Sequence, residues 1–136
     1  MIALAVGWAT VDLDRAALEL ASLLVAGTAF EDAPDCAHLG ARCRIGPLAE
    51  PAADGAGMLV LLEPSTEGRL AETLSRHDEG WCATWWPAET SSDATGDPAP
   101  PASVRRPGPL GPERLVLAGR RSGPHRLLVE AATIAS

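Results

Sequence analysis

The stretch 58–86, MLVLLEPSTEGRLAETLSRHDEGWCATWW, constrains the fold of this chain more than any other. Its apolar residues 58–62 predict a buried strand, and Ser65 then stands where a helix N-cap is expected. Gly80 ends that helix, and the tryptophan-rich residues 81–86 predict the next strand. Because this strand, helix and strand lie near the middle of the chain, they divide it into two halves.

The first half predicts one strand, one helix and further short strands. Residues 2–10 alternate small and large apolar side chains, which is typical of a strand with two different faces. Asp12 is placed to cap a helix that ends by Gly27. The Pro, Asp and Gly content of residues 31–40 predicts a loop, and residues 41–45 predict a strand that precedes the central stretch.

The second half begins with a long polar stretch. Residues 87–112 are rich in Pro, Gly, Ser, Thr and Asp, which predicts a long loop. Residues 113–119 and 125–131 are apolar runs that predict a closing hairpin. The order is therefore β-α-β-β-β, a linking helix, then a strand and a final strand pair, which favours an α+β fold of two related halves.

Size and charge limit the function. A chain of 136 residues with 46% hydrophobic content can form a single domain with its own core. The absence of lysine excludes Schiff-base chemistry through that residue, and the net charge of −7 argues against a nucleic-acid surface. Six arginines lie in 103–126 beside one acid, Glu113, so this segment is either a solvated hairpin or a place for one anionic group.

Three cysteines in a chain with no predicted signal peptide favour a reducing, cytoplasmic compartment. No apolar run approaches the ~18 residues of a membrane span. The spacing of Cys36, His38 and Cys43 does not match a standard zinc signature, so a loop with incidental thiols is the favoured interpretation. Cys82 is expected to be a buried structural thiol that points away from any pocket on its strand.

The central residues also resemble a known family. The segment LLEPSTEGRLAETLSRHDEGWCATWW, residues 61–86, is similar to the middle of vicinal oxygen chelate proteins, most closely their methylmalonyl-CoA epimerase and glyoxalase branch. The segment 11–14, VDLD, and the segment 107–112, PGPLGP, support the resemblance. It implies paired βαβββ modules that form an open cupped sheet, with module one in 1–64, a linking helix in 65–79, and module two, with a degenerate helix, in 80–136.

The resemblance also implies a divalent metal at the bottom of the cup. The resemblance gives this metal four ligand positions. Three of them correspond to Ala5, Val60 and Ala83, and only the fourth, Glu130, has a side chain that can bind a metal. One carboxylate cannot hold a catalytic ion, which needs about three protein ligands. The sequence therefore predicts no metal and no cofactor.

Strand alternation predicts which residues share a face of the sheet with Ala5, Val60 and Ala83. If the faces meet across the cup, they form an apolar, tryptophan-walled cavity for a flat ligand, or they simply pack against one another. The predicted ligand-binding residues are Ala5, Gly7, Met58, Val60, Leu62, Trp81, Ala83 and Trp85.

Two functions fit these patterns. The first is a metal-independent isomerase, cyclase or lyase in which Glu130, desolvated in an apolar cup, transfers a proton. The second is a non-catalytic drug-binding protein of the bleomycin-resistance type, and a metal-dependent epimerase or glyoxalase would require a different alignment. The expected partner is a hydrophobic or aromatic small molecule, with no nucleic acid and no membrane, and a homodimer is left open.

Overall fold

The computed structural model describes residues 2–52, 55–87, 103–117 and 124–129. These residues form a single curled sheet with two α-helices and one short 3-10 helix, Ala21–Leu23. The remaining elements are β1 (Ala5–Ala9), α1 (Leu13–Glu19), β2 (Glu31–Cys36), β3 (Ala41–Pro47), β4 (Met58–Pro64), α2 (Arg69–His77), β5 (Gly80–Pro87), β6 (Glu113–Leu115) and β7 (His125–Val129). Within those ranges no helix is long and apolar enough to cross a bilayer.

The seven strands are ordered β2-β3-β4-β1-β5-β7-β6. β1 pairs in parallel with β4, β5 pairs in parallel with β7, and the two halves meet where β1 runs antiparallel to β5. The two halves thus have the same arrangement at their centre. In the first half β4 is parallel to β1 and antiparallel to β3, and in the second half β7 is parallel to β5 and antiparallel to β6. This confirms the predicted α+β fold with an open, curled sheet.

The start of α1 follows the prediction, and its end does not. Asp12 caps the helix by accepting a 3.1 Å hydrogen bond from the amide of Arg15. The α-helix ends at Glu19 and is followed by a 3-10 turn, so the helix is shorter than the predicted helix that ends by Gly27.

The prediction of a loop at 31–40 was wrong, because residues 31–36 form β2. β2 lies at the edge of the sheet, where one side has no strand partner and most side chains are exposed. Charged residues and proline are common on such edge strands, so the composition that suggested a loop is compatible with a strand there. Pro34 and the neighbouring acidic residues are thus tolerated within the strand.

The predicted N-cap of α2 was also wrong. The helix begins at Arg69, and its N-cap is Gly68, three residues after Ser65. The amide of Ser65 instead donates a 2.8 Å hydrogen bond to the carbonyl of Gly40, which ties the segment after β4 to the connection between β2 and β3. At the other end Asp78 is the C-cap, with a positive φ of 61°.

The sheet has two differently covered faces. We call the first the cup face, and its buried cluster includes Leu70 of α2 together with side chains of all the central strands. We call the second the α1 face, where Leu13 and Ala16 of α1 pack against Val6, Leu59 and Leu61. The predicted hairpin is present as the antiparallel pair β6 and β7, although residues 118–123 between the two strands and residues 130–136 lie outside the described part of the chain.

Candidate functional site

The positions that correspond to metal ligands carry no ligand atoms. Ala5 and Val60 are 0% exposed and Ala83 is 6% exposed, and all three belong to the buried cluster of the cup face. Their side chains contain only carbon, whereas a catalytic divalent ion needs about three nitrogen, oxygen or sulfur ligands. In the described ranges, no three His, Cys, Asp or Glu side chains are grouped to hold a metal. The residues present therefore do not fit a metal centre at this position.

The floor of the cup is filled by Trp85. This side chain is 0% exposed, and its ring lies over Gly7 of the neighbouring strand. A Cβ atom at Gly7 would lie 2.8 Å from Cζ3 of Trp85 and 2.9 Å from Cδ1 of Leu62. Only glycine leaves room for the indole here, so Gly7 accommodates a core side chain.

A buried carboxyl group lies beside this indole. Glu113 is 0% exposed, and its carboxyl accepts hydrogen bonds from Nε1 of Trp85 at 2.8 Å and from Sγ of Cys36 at 3.1 Å. Burial raises the pKa of Glu113 to about 7, and the two hydrogen bonds only partly offset that effect. In the sequence Glu113 stood out only as the lone acid among arginines. Its alternation with the buried Leu115 in β6 was the signal that could have placed it inside.

The cysteines are buried free thiols. Cys36 and Cys43 are fully buried in the cup cluster, and desolvation raises the pKa of Cys43 to about 12. Nε2 of His38 lies 3.2 Å from the backbone oxygen of Glu113 and not beside the two thiols in a ligand set. Cys82 is 3% exposed, and desolvation raises its pKa to about 12, so the three thiols remain protonated at neutral pH.

A second buried polar pair joins β7 to α2. Nε2 of His125 lies 3.0 Å from Oγ1 of Thr73, and the Thr73 hydroxyl donates a 2.9 Å hydrogen bond to the carbonyl of Arg69. The tautomer of the imidazole determines which of the two groups donates in the His125–Thr73 hydrogen bond. Burial, followed by the charge of Arg69, lowers the pKa of His125 to about 4, so the ring is neutral.

A groove with a volume of about 650 Å³ lies on the α1 face. Val6, Thr84 and Arg126 are register partners on β1, β5 and β7, and they form a row across its floor. We call this cavity the Trp groove. Its lining residues are Val6, Ala52, Trp81, Cys82, Ala83, Thr84, Trp86, Pro124, His125 and Arg126.

A β-bulge brings Trp81 to this groove. The register between β1 and β5 shifts after Gly7, which pairs with Ala83, so that Trp8 pairs with Trp81 and Cys82 is the extra residue. The rings of Trp8 and Trp81 meet edge to face at 4.9 Å between centroids, and Trp81 is 58% exposed. The prediction that Trp81 shares the face of Ala83 and Trp85 was wrong, because strict alternation does not pass through a bulge. The same bulge places Cys82 in the cup cluster, contrary to its predicted direction.

The predicted site residues are thus divided between two places. Trp81 and Ala83 line the Trp groove, whereas Ala5, Gly7, Met58, Val60, Leu62 and Trp85 lie in or against the packed cup cluster. Their role in binding a ligand stays a prediction. Glu130 lies outside the described residues, and its neighbour Val129 packs in the cup cluster opposite Glu113.

The arginines of 103–126 do not form one cluster. Arg126 reaches the Trp groove, where its guanidinium carbon lies 5.2 Å from the ring centroid of Trp86. Arg105 and Arg106 line a separate cavity of about 420 Å³ with Pro34 and a Pro-Gly turn. Arg114 is exposed on β6, and Arg120 and Arg121 lie outside the described residues.

No protein-family model matches this sequence, and no curated protein matches it. Solved structures of methylmalonyl-CoA epimerases do match. One bound to methylmalonyl-CoA and NH4+ has a TM-score of 0.67 at 19% identity, over 96% of this chain and 95% of that one. A variant from Streptomyces coelicolor bound to 2-nitronate-propionyl-CoA has a TM-score of 0.66 at 19% identity, covering 96% and 98%. The Mycobacterium tuberculosis epimerase has a TM-score of 0.62 at 15% identity, covering 98% and 91%. The chain therefore has the same fold as these epimerase structures.

Proposed function

We propose that this protein is a metal-independent binding protein for a small aromatic or hydrophobic molecule, which it holds in the Trp groove. The observation that carries this proposal is the groove itself, about 650 Å³ in volume and lined mostly by apolar and aromatic side chains. Ligand sites commonly have volumes of ~300–1,000 Å³ and such a lining with a few polar groups. We further propose that residues 1–136 are one domain, with module one in 1–64, the linking helix in 65–79 and module two in 80–136.

The packing of the cup supports a groove-based function. Trp85 and Glu113 are fully buried inside the cup, and the floor positions carry only alkyl groups. On the α1 face, by contrast, α1 covers β1 and β4, while none of the described helices covers β5 and β7. The open space over β5 and β7 leaves Trp81 and Trp86 with accessible ring surface, which suits stacking against a flat ligand.

The proposal is tested with N-phenyl-1-naphthylamine, an uncharged fluorescent probe, titrated against the whole protein. We expect saturable binding with energy transfer from tryptophan. Trp86→Ala should weaken binding by about five- to tenfold, since an aromatic contact is worth about 1 kcal/mol or more. Leu18→Ala removes an exposed apolar side chain on α1, outside the groove, and should leave the affinity unchanged. Equal affinities for wild type and Trp86→Ala would contradict the proposal.

A proton-transfer isomerase, cyclase or lyase is the second candidate, and one observation favours it. The carboxyl of Glu113 lies in the cup with its pKa raised to about 7, which is suited to proton transfer at neutral pH. The comparison structures bind methylmalonyl-CoA or a nitronate analogue. Incubation with methylmalonyl-CoA in D₂O, followed by mass spectrometry, separates the candidates. A binding protein leaves the thioester unlabelled, whereas deuterium uptake that is lost in Glu113→Gln or Glu130→Gln would establish the enzyme.

A further inference from the structure

The described lining of the Trp groove contains one charged side chain, which distinguishes ligands by their charge. Only Arg126 among these residues is ionised at neutral pH, because His125 is held neutral and Cys82 is a protonated thiol. None of the described lining residues carries a carboxylate. The ion pairs found among the described residues do not involve Arg126 either. Its charge is therefore available to a ligand in the groove.

Arg126 is held over the groove by Trp86. The guanidinium carbon lies 5.2 Å from the centroid of the indole, within the range of a cation–π contact. A guanidinium in that position keeps its N–H groups free at its edge, where they can form paired hydrogen bonds with a carboxylate or sulfonate.

A second donor lies beside it. Thr84 is the register partner of Arg126 on the adjacent strand, and its Oγ1 accepts a 2.8 Å hydrogen bond from Nε1 of Trp86. That bond uses the hydroxyl as an acceptor, and no acceptor within the described ranges takes its hydrogen. The hydroxyl can therefore donate to a ligand next to the guanidinium. Two neighbouring donors with no neighbouring acceptor favour an anionic oxygen group.

We propose that the Trp groove selects planar aromatic anions, with the ring between Trp81 and Trp86 and the anionic group on Arg126 and Thr84. This inference rests on the proposed binding function. It excludes cationic aromatic compounds, even though the chain has a net charge of −7, because a cation in the groove would meet the guanidinium of Arg126 at short range. The local charge of the groove, and not the net charge of the chain, determines which ligands bind.

The test compares two probes that share one scaffold, N-phenyl-1-naphthylamine and 8-anilinonaphthalene-1-sulfonate. The wild type should bind the sulfonate more tightly than the neutral probe. Arg126→Gln should weaken sulfonate binding about five- to tenfold and change binding of the neutral probe less than about twofold. Arg76→Gln, which removes an exposed charge on α2 away from the groove, is the matched control and should change neither.

The outcomes separate the two proposals. If neither probe binds, the proposed binding function fails. If the neutral probe binds and Arg126→Gln leaves the preference for the sulfonate unchanged, the charge selection is wrong while the groove remains a binding site. A parallel loss of both probes in Arg126→Gln would also contradict charge selection, since Arg126 would then act through packing. Thr84→Val provides a second variant, which should weaken binding of the sulfonate and not of the neutral probe.

Discussion

The indole Nε1 of Trp85 donates a 2.8 Å hydrogen bond to the carboxyl of Glu113, and both side chains are fully buried. The bond joins β5 to β6 across the intervening strand β7. It holds the one buried carboxyl of the described core against Trp85. The described interior of the cup is thus organised around a hydrogen-bonded tryptophan.

The stability difference between wild type and Glu113→Gln should fall as the pH rises from about 4.5 to 7. Burial raises the pKa of Glu113 from its ordinary 4.5 to about 7, so the folded protein binds a proton that the unfolded chain releases in this interval. The favourable contribution is complete below pH 4.5 and is lost above pH 7. Chemical denaturation at several pH values measures the free energy of unfolding of both proteins. The difference between wild type and Glu113→Gln should change by about 3 kcal/mol over this pH interval.

The control for this experiment is His125→Gln, which should show the opposite slope. Burial lowers the pKa of His125 from 6.5 to about 4, so the unfolded chain binds the extra proton between those values and stability rises with pH there. The two effects oppose each other in the wild type. A difference between wild type and Glu113→Gln that stays constant from pH 4.5 to 7 would show that the carboxyl is not desolvated.

Gly108→Ala should destabilise the fold by about 2–3 kcal/mol. A Cβ atom at Gly108 would overlap Oε1 and Cδ of Glu113, and the hydrogen bonds to Cys36 and Trp85 prevent the carboxyl from moving freely. Gly57→Ala is the matched control, because a Cβ atom at Gly57 would have nothing within 4 Å and the backbone there is unstrained. Thermal denaturation of both variants measures the effect. In a Glu113→Ala background the penalty at Gly108 should largely disappear, and an unchanged penalty would place the clash elsewhere.

The sequence was sufficient for the fold but not for the direction of every side chain. The buried run at 58–62, the cap at Asp12 and the two closing strands were all recognisable, because periodicity and capping are local properties. The edge position of β2 is not local, since it depends on which strands pair, and its polar composition resembled a loop. Local patterns therefore identified the central strands and both helices, whereas β2 was missed because its edge position depends on strand pairing.

The site was harder to predict for two physical reasons. One extra residue at Cys82 reverses the direction of Trp81, and a bulge has no signature in the alternation that precedes it. Glu113 is buried because the cup supplies two hydrogen-bond donors from distant parts of the chain, Cys36 and Trp85. A predictor that reads one strand at a time assigns such a carboxyl to the surface.

Thr73→Val should cost about 1–3 kcal/mol of stability. The variant keeps the size of the side chain but removes the hydroxyl that is hydrogen-bonded to Nε2 of His125, so a buried polar group loses this partner. Thr73→Ser keeps the hydroxyl and serves as the control. Urea denaturation at pH 7.5, where the ring is neutral, measures the loss. A Thr73→Val variant no less stable than Thr73→Ser would show that the hydrogen bond contributes little.

Removal of divalent metals should leave both stability and probe binding unchanged. The floor positions Ala5, Val60 and Ala83 offer only carbon, and the buried carboxyl of Glu113 already accepts two hydrogen bonds. Protein purified without chelators should contain well under one equivalent of any transition metal by elemental analysis. Dialysis against EDTA, and then addition of Co²⁺ or Zn²⁺, should shift the melting temperature by less than about 1 °C, since a ligand that binds the native state raises it. The prediction fails if the protein contains a stoichiometric metal and loses melting temperature when that metal is removed. Such a metal would require ligands from residues outside the described ranges, Glu130 among them. The metal-dependent chemistry implied by the resemblance would then apply.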